Sequence, residues 1–280
     1  MLLLTIVSLL WAFSFGLIKG RLAGLDSAFI SAVRLFLALV VFLPFLRFKG
    51  LTLRLAAALT GIGAVQFGLM YLAYNESFRH LPAYQVALFT LTTPILVTLL
   101  ADALDRTFRL RALLAALLAV LGTAIVVYQS PGGTLRGILL VQFSNLAFAV
   151  GQVAYRRIRQ WPGLPGERNS FAWLYLGGFL VAVVAFAVND VQSITLTGSH
   201  ILTLLYLGII ASGLGFFLWN RGATQVSAGT LAVMNNAKVP LAVACSLLFF
   251  GESADLPRLL ASLALLATAV WLAEKRPVTI

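Results

Sequence analysis

Lys238 is the residue in this chain most able to do chemistry. It stands about nine residues into an apolar run, 229–250, and two before Pro240. That depth is roughly 14 Å along a helix, too far for its ammonium to reach either surface of a bilayer. A lysine there costs at least about 2.5 kcal/mol on insertion scales. All nine Asp and Glu fall in loops or at the ends of apolar runs, so the sequence offers it no buried acidic partner. An unpaired cation in such a place reads as the counter-charge of an anionic substrate group. The competing reading is a lysine held neutral, or bonded to carbonyls that Pro240 frees from the helix.

Its neighbours extend the argument. Asn235, Lys238, Ala242 and Cys245 follow i, i+3, i+7, i+10 and share one helical face. Gln142, Asn145, Ala149 and Gln152 repeat the pattern in the run 135–155. Such amides serve a polar substrate, or equally join helices to one another. In the run 83–100, Gln85, Phe89 and Thr92 share a face that leads to Pro94. Pro94 and Pro240 are the expected hinges, because a proline removes a backbone donor and strands the carbonyl four residues earlier. Trp11 and Tyr71 are the aromatic candidates for a cavity wall. Arg34, about seven residues into the run 27–46, is assigned a structural role, bonded to carbonyls or a polar neighbour.

Catalysis finds no footing. His80 and His200 lie at span ends, no HExxH occurs, and no aspartate pair stands within a span. Ala211-Ser212-Gly213 has a nucleophile but no mid-span histidine to activate it. Cys245 is the single cysteine, and no Walker sequence is present. No catalytic residue, metal or cofactor is expected.

The elements that position these residues follow from composition. Of 280 residues, 61% are hydrophobic and 10% charged, with a mean hydropathy of +0.98. A soluble domain carries about 25% charged residues, so this chain has no polar shell for water. Ten apolar runs stand near 2–18, 27–46, 55–75, 83–100, 110–128, 135–155, 170–188, 200–219, 229–250 and 257–273. Their length and continuous apolarity specify helices rather than barrel strands. The net charge of +11 reads as loop Lys and Arg on the cytoplasmic side, not as a nucleic-acid surface. With the N-terminus inside, thirteen Lys and Arg fall in inner loops and five in outer ones, so both termini are expected in the cytoplasm. The first run lacks a basic leader and reads as a membrane span rather than a signal peptide.

The chain also repeats itself. Gly68-Leu-Met-Tyr-Leu-Ala-Tyr-Asn75 resembles Gly213-Leu-Gly-Phe-Phe-Leu-Trp-Asn220 at an offset of 145. Pro94 follows the first Asn by 19 residues and Pro240 the second by 20, and Asp105 and Glu252 close the two runs. A boundary at Gln129-Ser-Pro-Gly-Gly-Thr134 divides the chain into 1–130 and 131–280. Five spans in each half invert one half relative to the other, with a site between them near the midplane. The expected fold is therefore an all-α polytopic membrane protein of ten transmembrane helices in two inverted five-helix repeats.

These landmarks carry a resemblance. Trp11-Ala-Phe-Ser-Phe-Gly-Leu-Ile-Lys19, Arg34-Leu-Phe36, Tyr84 to Pro94, and Ala228 through Pro240 to Gly251-Glu252 resemble the drug/metabolite transporter superfamily, EamA branch. The resemblance covers essentially the whole chain. It implies ten helices with cytoplasmic termini, a central cavity, and amino acids or other small metabolites as cargo, moved chiefly outward. On that basis the chain is expected to be a monomeric inner-membrane carrier with a small-molecule substrate and membrane lipid as its partners. The substrate carboxylate would meet Lys238, with Gln142, Asn145 and Asn235 around it. Dicarboxylates, phosphorylated metabolites or nucleotide sugars are the alternative cargo, and one midplane cation suits them less well.

Overall fold

The structure, a computed structural model, describes residues 2–106, 134–189, 194–223 and 228–274, with scattered positions between 110 and 125. The side chains of 228–238 lie outside the described residues, as do the backbone of much of 107–133 and its boundary segment. Among the described residues, seven helices are long and apolar enough to cross a membrane: α1 (Leu2–Arg21), α2 (Ser27–Phe45), α3 (Leu53–Ser77), α4 (Ala83–Leu104), α5 (Leu135–Ile158), α6 (Glu167–Val188) and α7 (Gly198–Gly222). Two more follow, α8 (Ala228–Phe249) and α9 (Leu256–Glu274). The expected span 110–128 falls largely outside the described residues. The molecule is an all-helical, multi-pass membrane protein.

Local chemistry sets the helix starts. Asp26 accepts from Phe29 N at 2.8 Å to begin α2, and Thr134 accepts from Gly137 N at 3.2 Å to begin α5. Thr197 and His200 form a reciprocal capping box at α7. Each cap satisfies donors that the first helical turn leaves open. Large apolar side chains such as Phe13, Phe36, Phe143, Val184 and Leu248 are exposed on the flanks, which suits lipid and would be a liability in water.

Two features depart from regular α-helix at matching places. α3 passes through a π-helical segment at Ala64–Leu69 and α7 through another at Tyr206–Leu214. They contain Gly68 and Gly213, the first residues of the repeated octapeptide. Such π segments free backbone groups and gather at functional sites. α4 carries a 3₁₀ turn at Thr90–Thr92, ending two residues before Pro94, whereas α8 stays helical through Pro240.

The helices pack closely where side chains are absent. A Cβ on Gly63 would lie 1.9 Å from the Leu174 carbonyl oxygen, and one on Gly177 would lie 1.9 Å from that of Thr60. α3 and α6 therefore cross with their backbones in contact, as small-residue crossings do in membranes. α2 runs beside α6, and α1 beside α8.

One sequence expectation is corrected here. α4 extends to Leu104, past the edge at residue 100, so Asp102 lies inside the helix and is buried at 5% exposure. Asp102 thus stands at a helix end, as read from sequence, but it is buried rather than exposed. The apolar run simply did not end where its hydropathy fell.

Candidate functional site: a buried polar cavity around Arg34

The centre of the bundle holds a cavity of about 90 Å³. α1 contributes Trp11, Ser14 and Phe15; α3 contributes Met70, Tyr71 and Tyr74; and α5 contributes Ser144, Asn145 and Phe148. Arg34, Thr90, Thr93 and Phe216 close it from α2, α4 and α7. A second, open cleft of about 640 Å³ lies at one end of the bundle, against Arg47, Arg168 and Arg221. That cleft is larger, but its arginines are solvent-exposed and fit the ordinary placement of basic loops. The central cavity has the buried polar chemistry.

Arg34 organises it. The side chain is 3% exposed, yet among the described residues no carboxylate pairs with it. A buried cation must be compensated by hydrogen bonds. Nη1 donates to Asn75 Oδ1 at 3.1 Å, and Nη2 donates to Tyr71 Oη and Ser212 Oγ, each at 3.2 Å. The guanidinium also lies 4.3 Å from the centre of the Tyr71 ring, a cation–π contact. Nε is buried with no hydrogen-bond partner among the described residues. Ser212 Oγ gives its proton to Leu207 O at 2.6 Å, the i−5 carbonyl that the π segment exposes. Tyr71 must then be the donor in its 2.6 Å bond to Ser212. All three partners thus present lone pairs to a fixed positive charge, and none neutralises it.

A second polar group sits at the break in α4. Asn145 Nδ2 donates to Phe89 O and Thr92 Oγ1, both at 2.9 Å. Thr92 Oγ1 lies 2.8 Å from Gln142 Oε1 and 2.9 Å from Phe89 O, with one proton to give. The 3₁₀ turn before Pro94 turns these groups toward α5. Asn145 spends both amide protons on protein, which leaves its Oδ1 as an acceptor at the cavity.

Of the residues expected from sequence, Trp11, Tyr71 and Asn145 line the cavity. Trp11 Nε1 donates to Ala211 O at 2.9 Å, tying α1 to the π segment of α7. Thr92 and Gln142 stand behind Asn145. Gln85 is fully buried and donates to Tyr84 Oη at 3.3 Å, away from the cavity lining. The side chains of Lys238 and Asn235 lie outside the described residues, although α8 itself is placed. Arg34 does bond polar neighbours as expected of it, and it also faces the cavity, which the sequence reading did not assign. Asn75, Ser31 and Ser212 were missed as well. The available signal was Ser27, Ser31 and Arg34 at i, i+4, i+7, a polar stripe down α2.

An all-helical membrane bundle with a charged cavity at its centre is the architecture of a small-molecule carrier. The profile of the EamA-like transporter family matches residues 1–128 and again 135–273, and the chain belongs to that family. It is a transporter, not an enzyme. The probable biotin transporter of Pseudomonas aeruginosa is 43% identical over 272 residues, covering 96% of this chain and 95% of that one. The biotin transporters of Salmonella typhimurium and Escherichia coli are each 40% identical over 279 residues, covering 98% of this chain and 93% of theirs. A solved crystal structure at 18% identity superposes with a TM-score of 0.65, covering 97% of this chain and 96% of the other, and shares the fold. The relatives overturn the amino-acid cargo expected from sequence, and the dicarboxylate and sugar-phosphate alternative with it. A midplane cation selects for a carboxylate but does not say what the carboxylate is attached to, which is why composition and spacing led elsewhere.

Proposed function

We propose that this chain carries biotin across the bacterial inner membrane, with the valerate carboxylate held at Arg34. The observation that carries the reading is a buried guanidinium at the cavity with no carboxylate partner among the described residues. The names of relatives at 40–43% identity supply the cargo. Biotin pairs one carboxylate with a ureido ring, whose N–H groups need acceptors such as Asn145 Oδ1. Lys238 and Asn235 would complete the wall from α8, with Thr92, Gln142 and Gln85 as the polar backing of α4 and α5.

Ten helices in two inverted repeats, 1–130 and 131–280, would rock about Pro94 and Pro240 to open the cavity to either side. The double match of the family profile and the paired π segments at Gly68 and Gly213 support this arrangement. The excess of inner Lys and Arg supports cytoplasmic termini, and a single chain encloses the cavity, so a monomer suffices. At about 90 Å³ the cavity is below the roughly 300 Å³ of a ligand-sized pocket. Biotin therefore enters only when the repeats part.

Counterflow tests the reading. Proteoliposomes preloaded with unlabelled biotin should take up labelled biotin saturably, with unlabelled biotin competing and amino acids not. Folded protein that exchanges no biotin would sink it. Asn145→Ala should weaken biotin about threefold to tenfold, the scale of one lost hydrogen bond, and should weaken a ureido-lacking carboxylate analogue far less. Equal weakening of both would remove Asn145 from the ureido contact.

A further inference from the structure

The hydrogen bonds of Arg34 do not stop at the cavity. Arg34 donates to Asn75 Oδ1, and Asn75 Nδ2 donates to Ser31 Oγ at 2.8 Å. Ser31 Oγ donates to Ser27 O at 2.7 Å, and Ser27 Oγ donates to Glu76 Oε2 at 2.6 Å. Ser27, Ser31, Arg34 and Asn75 are each at most 6% exposed. The seam between α2 and α3 thus joins Arg34 to Glu76 by contact, through the backbone carbonyl and then the separate hydroxyl of Ser27. The seam opens at Glu76, whose side chain is 26% exposed at the end of the bundle.

We propose that Glu76, with His80 beside it, is a proton-binding site linked to the substrate site at Arg34. The inference rests on the reading that the cargo is an anion bound there. In the empty carrier the guanidinium of Arg34 favours a negative charge at Glu76 across the seam. An anion at Arg34 cancels that attraction and makes a second negative charge nearby unfavourable. Substrate binding therefore favours a proton on Glu76, and by reciprocity a proton on Glu76 tightens substrate binding. The proton comes from solution at that end of the bundle and returns there; no bond is made or broken in the cargo.

The other charges around Glu76 leave the sign unchanged. His80 Nε2 lies 3.2 Å from Oε1, and a proton held there also cancels the carboxylate's charge. Arg79 in the turn after α3 and Arg136 on α5 stand at 3.9 Å and are mostly exposed, hence well screened. Asp26 caps α2 next to Ser27 and accepts from Phe29 N. Lys19 of α1 is bonded to Phe78 O, and Glu252 to Ala83 N and Tyr84 N, on the side toward α4.

Equilibrium binding of labelled biotin to purified protein between pH 5.5 and 8 tests the linkage. Wild type should bind about threefold to tenfold tighter at the acid end, the scale expected of one charge about 10 Å away. Biotin amide, which is uncharged, should show no such slope. Glu76→Gln should bind biotin as tightly as acid-treated wild type at every pH, and Glu76→Asp should keep the slope and report that the seam still folds. A flat wild type, or a Glu76→Gln variant with the wild-type slope, would overturn the linkage. Folded wild type that binds no biotin at any pH would overturn the cargo reading, and the linkage with it.

Discussion

Arg34→Gln should weaken biotin roughly ten- to a hundredfold and abolish the distinction between biotin and its amide. The wild-type carrier is expected to prefer the carboxylate because a charge-assisted hydrogen bond contributes about 1.5–3 kcal/mol, roughly ten- to a hundredfold. Glutamine keeps part of the volume and one donor, so it can still reach Asn75 or Tyr71, but it brings no charge into the cavity. Biotin and biotin amide should then bind equally and weakly. Arg34→Lys separates charge from geometry. An ammonium retains the attraction but cannot reproduce a planar fork that spans Asn75, Tyr71 and Ser212. Its affinity should fall between wild type and glutamine while its preference for the acid survives. Competition with both ligands in counterflow reads all three. A glutamine variant that still prefers biotin over its amide would move the carboxylate to another cation, and Lys238 would be first in line.

That comparison also shows what the amino-acid sequence makes legible. The membrane spans can be read because membrane helices announce themselves by length and apolarity, and Trp11 and Tyr71 do line the cavity. The π segments cannot, since nothing in Gly68-Leu or Gly213-Leu distinguishes a π turn from an α turn before packing is known. Arg34 was legible as a charge but not as a site. Its meaning depends on Asn75 and Ser212, which lie 41 and 178 residues away and meet it only when α2, α3 and α7 pack. Lys238 drew attention because it stands deeper in its run, although depth alone does not decide which cation faces a cavity. The cargo was beyond reach for a different reason. The carboxylate and ureido ring of the relatives' named cargo ask for a cation and amide acceptors, and amino acids ask for nearly the same set.

The crossing of α3 and α6 supports the second large prediction. Gly63→Ala should cost about 3 kcal/mol or more, above the usual range for overpacking, because the obstacle is backbone rather than side chain. The added Cβ would meet Leu174 O at 1.9 Å, Leu174 C at 2.5 Å and its Cα at 2.6 Å. No rotamer change relieves such a clash, so the helices must separate. Gly177→Ala should behave alike, with Thr60 O at 1.9 Å. Gly61 supplies the control within the same helix. Nothing lies within 4 Å of a Cβ there, so Gly61→Ala should be neutral or gain up to about 1 kcal/mol of helix propensity. Thermal unfolding in detergent should show a midpoint lowered by roughly 10 °C for Gly63→Ala, at about 2–4 °C per kcal/mol, and unchanged or raised for Gly61→Ala. The consequence reaches the site, because α3 carries Tyr71, Asn75 and Glu76 on the helical segment just beyond Gly63. Helices pushed apart at Gly63 would lengthen the bonds of Tyr71 and Asn75 to Arg34, so residual folded Gly63→Ala protein should also bind biotin weakly. Full affinity in that fraction would mean that the polar seam is held by α2 and α7 without the crossing.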